Sequence, residues 1–438
     1  MAASTTKPRV GFFGSSRSPA AQLYNALWYP ALPVALFAMG GCDAAVRRQR
    51  LGHLDLGAQS LREDAPRVWV HAASVGEVEA ARPVLAKLLH EDPRLQLVLT
   101  TMTTAGRDAA RRRIGQLAAC QLAPLDAASA VRRFLATLRP HLILIAETEL
   151  WPNYFSEGLR SGARIAIFNG RLSPRSLQRY RLARSLFGRT LECVEKILVQ
   201  TAADAERFGV LGAPVDRVTV TGNTKFDFDD ASAPLRPALA AFAPGRPLLV
   251  AGSTAAGEER MVIETYRNLV ARFPDLALAI APRHLERAPE VEEDLRAEGL
   301  AYTKASAPQL DAGEANVLLL DTMGELRSFY FRATIAFVGG SMNPPRGGQS
   351  MAEPAAAAVP ILFGPHYENQ RQMGLALLAE RAAVVVNDGA ELATQCAAWL
   401  ADDSLRRATG QAARRVIERL AGGATATVQH LLPMLPAT

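Results

Sequence analysis

The chain has 438 residues, more than a single hydrophobic core usually serves, so we expect two domains. Hydrophobic residues make up 49% and charged residues 21% of it, a balance that fits a globular protein and excludes extended disorder. The net charge of +6 suits an anionic partner, whether phosphate, nucleic acid or membrane surface, and does not choose among them. The four cysteines lack metal-ligand or CxxC spacing, which indicates free thiols in a reducing compartment.

An apolar segment near the N-terminus, from Ala20 to Gly41, is about as long as a bilayer-spanning helix. Pro30 and Pro33 interrupt it, its tyrosines and tryptophan are types that settle at membrane interfaces, and arginines follow it. The favoured interpretation is an anchor lying in the membrane interface, with a true span and a buried helix as alternatives. A cleaved signal peptide is less favoured, because no small-residue cleavage site clearly follows.

Downstream, short apolar runs alternate with helix-like ones. Five strands are predicted at 67–74, 95–102, 141–149, 163–170 and 195–200, and five more at 246–253, 276–283, 316–322, 333–340 and 359–365. Near-continuous apolar strands separated by helices are typical of parallel sheets covered on both faces. We therefore predict an α/β protein with two doubly wound, Rossmann-like domains facing across a cleft.

Domain limits follow from this pattern. We expect a membrane-associated segment at 1–45, a first domain at 46–230, an Ala- and Pro-rich linker at 231–247 and a second domain at 248–404. We expect helices at 405–438. The sequence alone does not decide whether they return to pack on the first domain.

A glutamate follows the first predicted strand. In HAASVGEVEAARPVL (71–85), Glu77 stands near the start of a helix, at the carboxyl end of a strand, where open α/β sheets bind ligands. Two interpretations stay open: an acid that complements the helix dipole, or a general base that faces a cleft.

Polar residues also end later strands. Glu147 and Glu149 end a buried strand, where like charges raise each other's pKa; this favours a functional role for at least one of them over structural pairing with arginines. Ser253 and Thr254 open a helix and are either phosphate ligands or ordinary caps. Two roles stay open for Arg283: it binds a phosphate or carboxylate group of a ligand, or it forms a surface salt bridge.

The densest cluster runs from Phe337 to Gln370 as strand, Gly-rich loop, helix and strand. Four glycines, at 339, 340, 347 and 348, permit close backbone approach. Glu353 falls in the first helical turn beyond them, where it could accept two ribose hydroxyls. This combination indicates a nucleotide-sugar site rather than a plain connector.

Together these segments resemble one family. HAASVGE, ETELWPN, NGRLSPRS, VTGNTKFD, AGSTAAGEE, APRHLER, DTMGEL and FVGG through FGPH occur in the order and approximate spacing of the bacterial 3-deoxy-D-manno-octulosonic acid (Kdo) transferases, from about Leu23 to Gln370. The resemblance implies a protein that has the two-domain glycosyltransferase B fold and lies on the cytoplasmic face of the inner membrane. It implies inverting transfer of Kdo from CMP-Kdo to a lipid A precursor, in lipopolysaccharide biosynthesis, with no cofactor and no metal in the chemistry.

The resemblance also implies residue roles. Glu77 matches the family's catalytic base, while Glu147 and Lys225 match residues credited with stabilising the transition state. Nine residues match the CMP-binding positions: Pro282, Arg283, Met323, Gly324, Glu325, Ser350, Met351, Ala352 and Glu353. Within that set, Glu353 would hold the ribose.

One segment departs from the family pattern. Where the family usually reads GGHNPLEPA, this chain reads GGQSMAEPA, so Gln349 to Ala352 replace a His, an Asn, a Pro and a Leu. Ser350 can still cap the helix and donate one hydrogen bond. The alternatives are therefore a divergent transferase using another CMP-activated acidic sugar or another acceptor, and an inactive glycolipid-binding scaffold, against which the retained acidic and basic positions argue.

The expected partners are a CMP-sugar donor, a lipid A precursor acceptor and an anionic membrane surface. Such an acceptor carries phosphates and acyl chains, so a cationic surface near an apolar one is needed. A row of arginines fits the phosphates, with a solvated basic helix face as the alternative: Arg107, Arg111, Arg112 and Arg113. Nucleic acid is not expected, because no binding motif or aromatic-basic interleaving is found.

Overall fold

The computed structural model of the protein describes residues 19–38, 43–56, 61–227, 235–307, 315–344 and 346–436. These residues form two compact units. Unit 1 holds the described residues up to Asp227 together with those from Ala421 onward, and unit 2 holds the described residues from 235 to Leu420. The predicted N-terminal segment before Pro19 and at 39–42, and residues 231–234 of the predicted linker, lie outside the described residues.

Unit 1 is built on a seven-stranded sheet with the order β3-β2-β1-β4-β5-β6-β7, in which every neighbouring pair is parallel. Its strands are β1 Arg67–His71, β2 Gln96–Thr101, β3 Leu117–Leu122, β4 Leu142–Ala146, β5 Arg164–Gly170, β6 Lys196–Val199 and β7 Val218–Val220. Its helices before unit 2 are α1 Pro19–Ala38, α2 Ala44–Arg50, α3 Val75–Glu91, α4 Thr104–Arg113, α5 Ala128–Leu138, α6 Pro152–Arg160, α7 Pro174–Arg181, α8 Arg184–Glu192 and α9 Ala202–Leu211.

Both faces of this sheet are buried, which explains why its central strands have apolar residues at successive positions, as in LILIA of β4. In β1, Val68 and Val70 belong to one core cluster, while Trp69 points into another on the opposite face. There the Trp69 ring lies 4.8 Å from the ring of Phe134 and 4.9 Å from that of Tyr154, centroid to centroid. Aromatic contacts of this kind add to the free energy gained by burial alone.

Unit 2 has a second parallel sheet of seven strands, with the order β10-β11-β9-β8-β12-β13-β14. Its strands are β8 Leu248–Thr254, β9 Ala277–Pro282, β10 Tyr302–Lys304, β11 Val317–Leu319, β12 Ile335–Val338, β13 Ile361–Phe363 and β14 Ala383–Val385. Its helices are α10 Pro237–Ala240, α11 Glu258–Val270, α12 Ala288–Ala297, α13 Leu326–Tyr330, α14 Ala352–Ala356, α15 Arg371–Ala379, α16 Gly389–Ala401 and α17 Asp403–Leu420. All ten predicted strands and the doubly wound α/β class are confirmed.

The chain returns to unit 1 at Ala421, whereas the sequence pattern predicted that the terminal segment begins at residue 405. The reason is that α17 packs on α14 and α15 within unit 2. A Cβ at Gly410 would stand 2.0 Å from the carbonyl oxygen of Ala358, so this close approach requires glycine. The last helix, α18 Gly423–Leu431, packs on α3 in unit 1 and buries Leu431 in its core.

Each sheet contains one topological switch point, where the strand order reverses. In unit 1 it lies between β1 and β4, and in unit 2 between β8 and β12. At a switch point the loops after the two strands diverge and leave a crevice outside the carboxyl ends, where ligands of doubly wound folds bind.

Helix α1 contacts α8 of unit 1, and the hydroxyl of Tyr24 donates a 2.7 Å hydrogen bond to the buried carboxylate of Asp126. Several of its apolar side chains stay exposed, among them Tyr29 and Phe37. Within the described ranges, no helix has both the length and the apolar character that a bilayer crossing needs.

Candidate active site

Acidic residues gather at the switch point of unit 1. Glu77 lies in the first turn of α3, directly after β1, while Glu147 and Glu149 directly follow β4, which pairs with β1. The charges of both later glutamates act on Glu77. The structure thus brings together the three acids that the sequence placed at two separate strand ends.

Glu77 is both a capping residue and a buried acid, so the two interpretations of it are compatible. Its Oε2 accepts a 2.6 Å hydrogen bond from the Ala73 N–H, and its Oε1 accepts one of 3.1 Å from the Ser74 hydroxyl. Ser74 is the N-cap of α3. These bonds hold the carboxylate across the start of the helix, where only 9% of the residue is exposed.

Burial raises the pKa of Glu77 to about 8, and the nearby charges of Glu149 and, less strongly, Glu147 add to the rise. The hydrogen bonds from Ala73 and Ser74 oppose it. A carboxylate with a pKa near the working pH is far more basic than an exposed one and still ionises, which is what a general base needs.

Lys225 and Glu147 form an ion pair beside this acid. Lys225 Nζ lies 2.6 Å from Glu147 Oε1, and a Cβ at Gly76 would stand 3.9 Å from the same Nζ, so the cation lies close to the first turn of α3. Glu147 has a left-handed φ of +53°, which a non-glycine residue adopts at a cost and which occurs most often at functional sites.

The turn that carries Lys225 is tied to α3 and β5. The hydroxyl of Thr224 donates to the carbonyl of Ala80 at 2.7 Å, and the Thr224 N–H donates to Asn169 Oδ1 at 3.0 Å. These bonds fix a residue far along the chain next to Glu147, which explains why VTGNTKFD and ETELWPN belong to one site.

Two residues that the sequence reasoning did not single out lie against Glu149, and one of them, Trp151, is hydrogen-bonded to it. The indole Nε1–H of Trp151 donates to Glu149 Oε2 at 2.7 Å, and the same oxygen lies 4.0 Å from His71 Nε2. His71 is fully buried, and its Nε2 has no hydrogen-bond partner among the described residues. Burial and the charge of Arg50 lower the pKa of His71 to about 3, so the ring is neutral. His71 lies inside the motif HAASVGE and Trp151 inside ETELWPN, so their position in these motifs was the sequence signal that could have identified them.

The raised pKa of Glu77 predicts a pH-dependent stability difference between the wild type and Glu77→Gln. In the unfolded chain this carboxyl loses its proton near pH 4.5, and in the folded protein near pH 8. Between these values the unfolded state binds fewer protons, so the wild type loses stability relative to the variant as pH rises, by at most about 1.4 kcal/mol per pH unit, and the difference levels off above pH 8. Urea denaturation of both proteins at several pH values measures this, and a pH-independent difference would contradict the assignment.

In unit 2, a buried carboxylate joins the two loops of the switch point. Glu258, only 1% exposed, accepts four backbone N–H bonds of 2.7 to 2.9 Å. The donors are Ala255, after β8, and Gly340, Ser341 and Met342, after β12. The N–H groups that open the Gly-rich loop thus bind this internal carboxylate, so a nucleotide phosphate has to be bound by other groups.

The same carboxylate explains Gly339. A Cβ there would stand 2.5 Å from the Cα of Thr254 and 2.6 Å from Glu258 Oε2, so only glycine lets the two loops approach. The prediction that Ser253 and Thr254 open a helix is wrong, because they are the last two residues of β8, and α11 begins at Glu258 with Gly257 as its N-cap. Ser253 has a left-handed φ of +54°, and the hydroxyl of Thr254 donates to Glu259 Oε1 at 3.1 Å.

Replacing Glu258 by glutamine is expected to lower the free energy of unfolding by about 3 kcal/mol. The amide nitrogen would face backbone N–H donors, leaving them buried without an acceptor. Urea denaturation measures the loss, with Glu264→Gln, on the exposed side of the same helix, as the control. Equal stability of both variants would show that the four bonds contribute little.

The predicted CMP-binding residues lie at or after the carboxyl ends of strands of the second sheet. Pro282 is the last residue of β9, and Arg283 follows it with an exposed side chain. Met323, Gly324 and Glu325 lie between β11 and α13. Met323 is 59% exposed.

Glu325 is already engaged on both carboxylate oxygens. Its Oε1 lies 3.0 Å from a guanidinium nitrogen of Arg236, and its Oε2 accepts a 2.7 Å bond from the Thr322 hydroxyl. This arrangement fixes the turn before α13 and leaves the exposed Met323 beside it as the side chain most open to a ligand.

The last predicted group surrounds the start of α14. Ser350 is exposed, and its hydroxyl accepts a 3.4 Å bond from the Ala352 N–H; Glu353 is half-buried in the first turn. The side chains of Met351 and Ala352 are buried, so only the backbone of these two can meet a ligand. Gln349, where the family has histidine, has its side-chain amide within 3.1 Å of a Cβ placed on Gly340.

Three of the four arginines proposed for lipid phosphates have partners within the chain. Arg107 Nε lies 3.3 Å from Asp108, Arg111 donates to the Cys120 carbonyl at 3.0 Å, and Arg113 pairs with Glu79. Arg111, Arg112 and Arg113 are exposed in the last turn of α4, whereas Arg107 is half-buried nearer its start, and the acids beside Arg107 and Arg113 offset part of the charge.

Among the described residues, no group of three His, Cys, Asp or Glu side chains could hold a metal ion. Cys120, Cys193 and Cys396 are free thiols, as predicted, and Cys42 lies outside the described residues.

Comparison with known proteins connects these features. A model of the 3-deoxy-D-manno-octulosonic-acid transferase (kdotransferase) family matches residues 46–228. The 3-deoxy-D-manno-octulosonic acid transferase of Haemophilus influenzae is 32% identical over 84% of this chain and 86% of its own length. The one from Bordetella pertussis is 35% identical over 86% of this chain and 89% of its own length.

A solved glycosyltransferase from Rickettsia africae ESF-5 covers 85% of this chain and 98% of its own with a TM-score of 0.54, and at 12% identity it shows the fold alone. The two longer sequence matches extend over both units. The chain therefore belongs to the 3-deoxy-D-manno-octulosonic acid transferase family and is a glycosyltransferase with the two-domain glycosyltransferase B fold.

Proposed function

We propose that this protein transfers Kdo from CMP-Kdo to a lipid A precursor, with inversion at the anomeric carbon. The observation that carries the proposal is the buried Glu77 next to the Glu147–Lys225 pair, at the switch point of a chain in this family. The names of the relatives support the sugar, and the matched motifs support the CMP carrier and the lipid acceptor.

In the proposed step, a hydroxyl oxygen of the acceptor forms a bond to the anomeric carbon of Kdo. The bond from that carbon to the phosphate oxygen breaks, and CMP leaves with the electron pair. Glu77 takes the hydroxyl proton as the new bond forms. The hydrogen bonds from Ala73 and Ser74 hold the carboxylate in one orientation for this transfer.

Lys225 supplies positive charge to the same reaction. Its ammonium is fixed by Glu147 at 2.6 Å and by the tethered turn around Thr224, so little reorganisation is needed when negative charge develops on the leaving phosphate. In this proposal no metal ion or other cofactor takes part.

Unit 2 holds the nucleotide in this proposal. Half-buried Glu353 accepts the ribose hydroxyls, and exposed Arg283 binds the phosphate or the sugar carboxylate. The Glu258 carboxylate shapes the loop but binds no ligand, because its four bonds are already made to the backbone.

The lipid acceptor implies a protein that works at a membrane. The exposed apolar residues of α1 and the basic end of α4 support contact with anionic lipid, and we place the enzyme on the cytoplasmic face of the inner membrane. The row at Arg107 to Arg113 then binds acceptor phosphates or headgroups.

The loop at Gln349 to Ala352 supports a second candidate, a transferase of the same fold with another CMP-activated acidic sugar. A donor panel separates the two: purified protein in detergent receives CMP-Kdo or CMP-N-acetylneuraminic acid together with a tetra-acylated lipid A precursor. Product formed only from CMP-Kdo supports the proposal, and product formed only from the other donor replaces it. CMP binding without product from either donor supports the inactive scaffold.

A further inference from the structure

A pocket of about 1030 Å³ lies in unit 1 at the sheet edge opposite Glu77. It opens at the amino ends of β1, β4 and β5, one strand length or roughly 15 Å from the acidic cluster. Five arginines line it: Arg67, Arg132, Arg139, Arg160 and Arg164. Leu135, Met434 and Leu435 contribute an apolar wall.

Three of these arginines are paired. Glu157, only 4% exposed and the one carboxylate among the described residues that line the pocket, lies 2.7 Å from Arg160 and 3.6 Å from Arg132. Arg164 pairs with Glu195 and donates to the Pro433 carbonyl at 2.6 Å, which fastens the C-terminal turn against the pocket.

The other two arginines of the pocket, Arg67 and Arg139, have no acidic partner among the described residues. In the part of the chain that the structure describes, no carboxylate lies within 4.0 Å of Arg67 or Arg139. Arg67 Nε donates to the Arg139 carbonyl at 3.1 Å, so the two are joined through the backbone rather than neutralised. Both guanidinium groups therefore keep their positive charge at this pocket, where a bound anion would be attracted to them.

Arg139 also occupies an unfavourable backbone position. It is the C-cap of α5, with a left-handed φ of +48°, a place where glycine or asparagine is usually found. An arginine there costs stability on the order of 1 kcal/mol compared with glycine. The chain thus keeps a cation at this edge where glycine would suit the helix end better.

The histidine in the pocket contributes a donor as well. His141 Nδ1 accepts the Arg67 N–H at 3.1 Å, so the neutral ring carries its proton on Nε2. Burial and the charge of Arg67 lower the pKa of His141 below its usual range. Apart from Glu157, the ionisable side chains that line the pocket are therefore hydrogen-bond donors.

We propose that this pocket binds a phosphate-bearing anion. Guanidinium groups donate two parallel hydrogen bonds to phosphate oxygens, and the apolar wall suits the carbon skeleton attached to the phosphate. The chemistry is shared by a phospholipid headgroup and a phosphorylated metabolite. The site is separate from the sugar-transfer machinery and does not depend on the proposed function.

The test compares Arg139→Gly with Arg381→Gly. Arg381 is also an exposed arginine with a left-handed φ, of +51°, but it lies in unit 2. Both changes should leave the fold intact, because glycine suits this backbone, so each isolates the loss of the side chain. Arg67→Gln serves as a second variant.

The melting temperature of the full chain is measured in sodium phosphate and in sodium chloride of equal ionic strength, without CMP, because CMP carries a phosphate and would compete for the pocket. We expect phosphate near ten times its dissociation constant to raise it by about 3 °C in the wild type and Arg381→Gly. Arg139→Gly and Arg67→Gln should lose most of this rise. An equal rise in all four proteins, or none in the wild type, would overturn the proposal.

Sedimentation with vesicles of phosphatidylcholine and phosphatidylglycerol in equal parts then identifies the source of the phosphate. If the thermal shifts are as expected, weaker sedimentation of Arg139→Gly than of Arg381→Gly shows that the pocket binds a lipid headgroup. Equal sedimentation assigns a free phosphorylated metabolite.

Discussion

Replacing Glu77 by glutamine is expected to lower the rate of Kdo transfer by about a thousandfold while CMP affinity changes less than twofold. General base catalysis contributes on the order of 10² to 10⁴ to a rate, and the amide cannot take a proton. The amide oxygen can still accept the Ala73 N–H, so the start of α3 should keep its structure. Transfer is measured from CMP-Kdo, and CMP affinity by calorimetric titration.

The matched control is Glu79→Gln, on the same helix. Glu79 pairs with Arg113 at the surface, so its loss should change transfer less than threefold. Loss of CMP binding in Glu77→Gln, or equal activity of the two variants, would contradict the role of Glu77 as the base.

The second large effect is expected at the Lys225–Glu147 pair. Lys225→Met should lower the turnover rate about a hundredfold, the usual loss when one fixed group that stabilises developing charge is removed. Glu147 acts by holding this ammonium at 2.6 Å. Adding Glu147→Gln to Lys225→Met should therefore lower the rate little further, since residues that act as a unit are not additive.

A double-mutant cycle of turnover rates measures this coupling. Lys196→Met is the control, because Lys196 is the first residue of β6 and so lies at the amino ends of the strands, whereas Glu147 follows the carboxyl end of β4. If the reduction in the double mutant equals the product of the two single reductions, Lys225 and Glu147 act independently, which would contradict this account.

The sheet centres could be predicted from the sequence, and the sheet edges could not. Every strand of the two predicted series is buried on both faces and therefore reads as a continuous apolar run. The four missed strands, β3, β7, β10 and β14, are the outermost strands of the two sheets. Their residues are partly exposed and the shorter ones have only three residues, so they lack that pattern.

The candidate site shows a similar division. Glu77 and Glu147 could be singled out because a strand end followed by an acid is a local pattern. That Lys225 meets Glu147, 78 positions away, depends on tertiary contacts, and so do the four backbone bonds of Glu258. In those cases the sequence identifies the residue type but gives no information about its partner.

The most direct measurement of the central claim is mass spectrometry of a tetra-acylated lipid A precursor after incubation with the detergent-solubilised protein and CMP-Kdo generated in place. We predict a mass gain of one or more Kdo units, with release of CMP, that disappears in Glu77→Gln. An unchanged acceptor mass, in protein that still binds CMP, would contradict the assignment of Kdo transfer to lipid A.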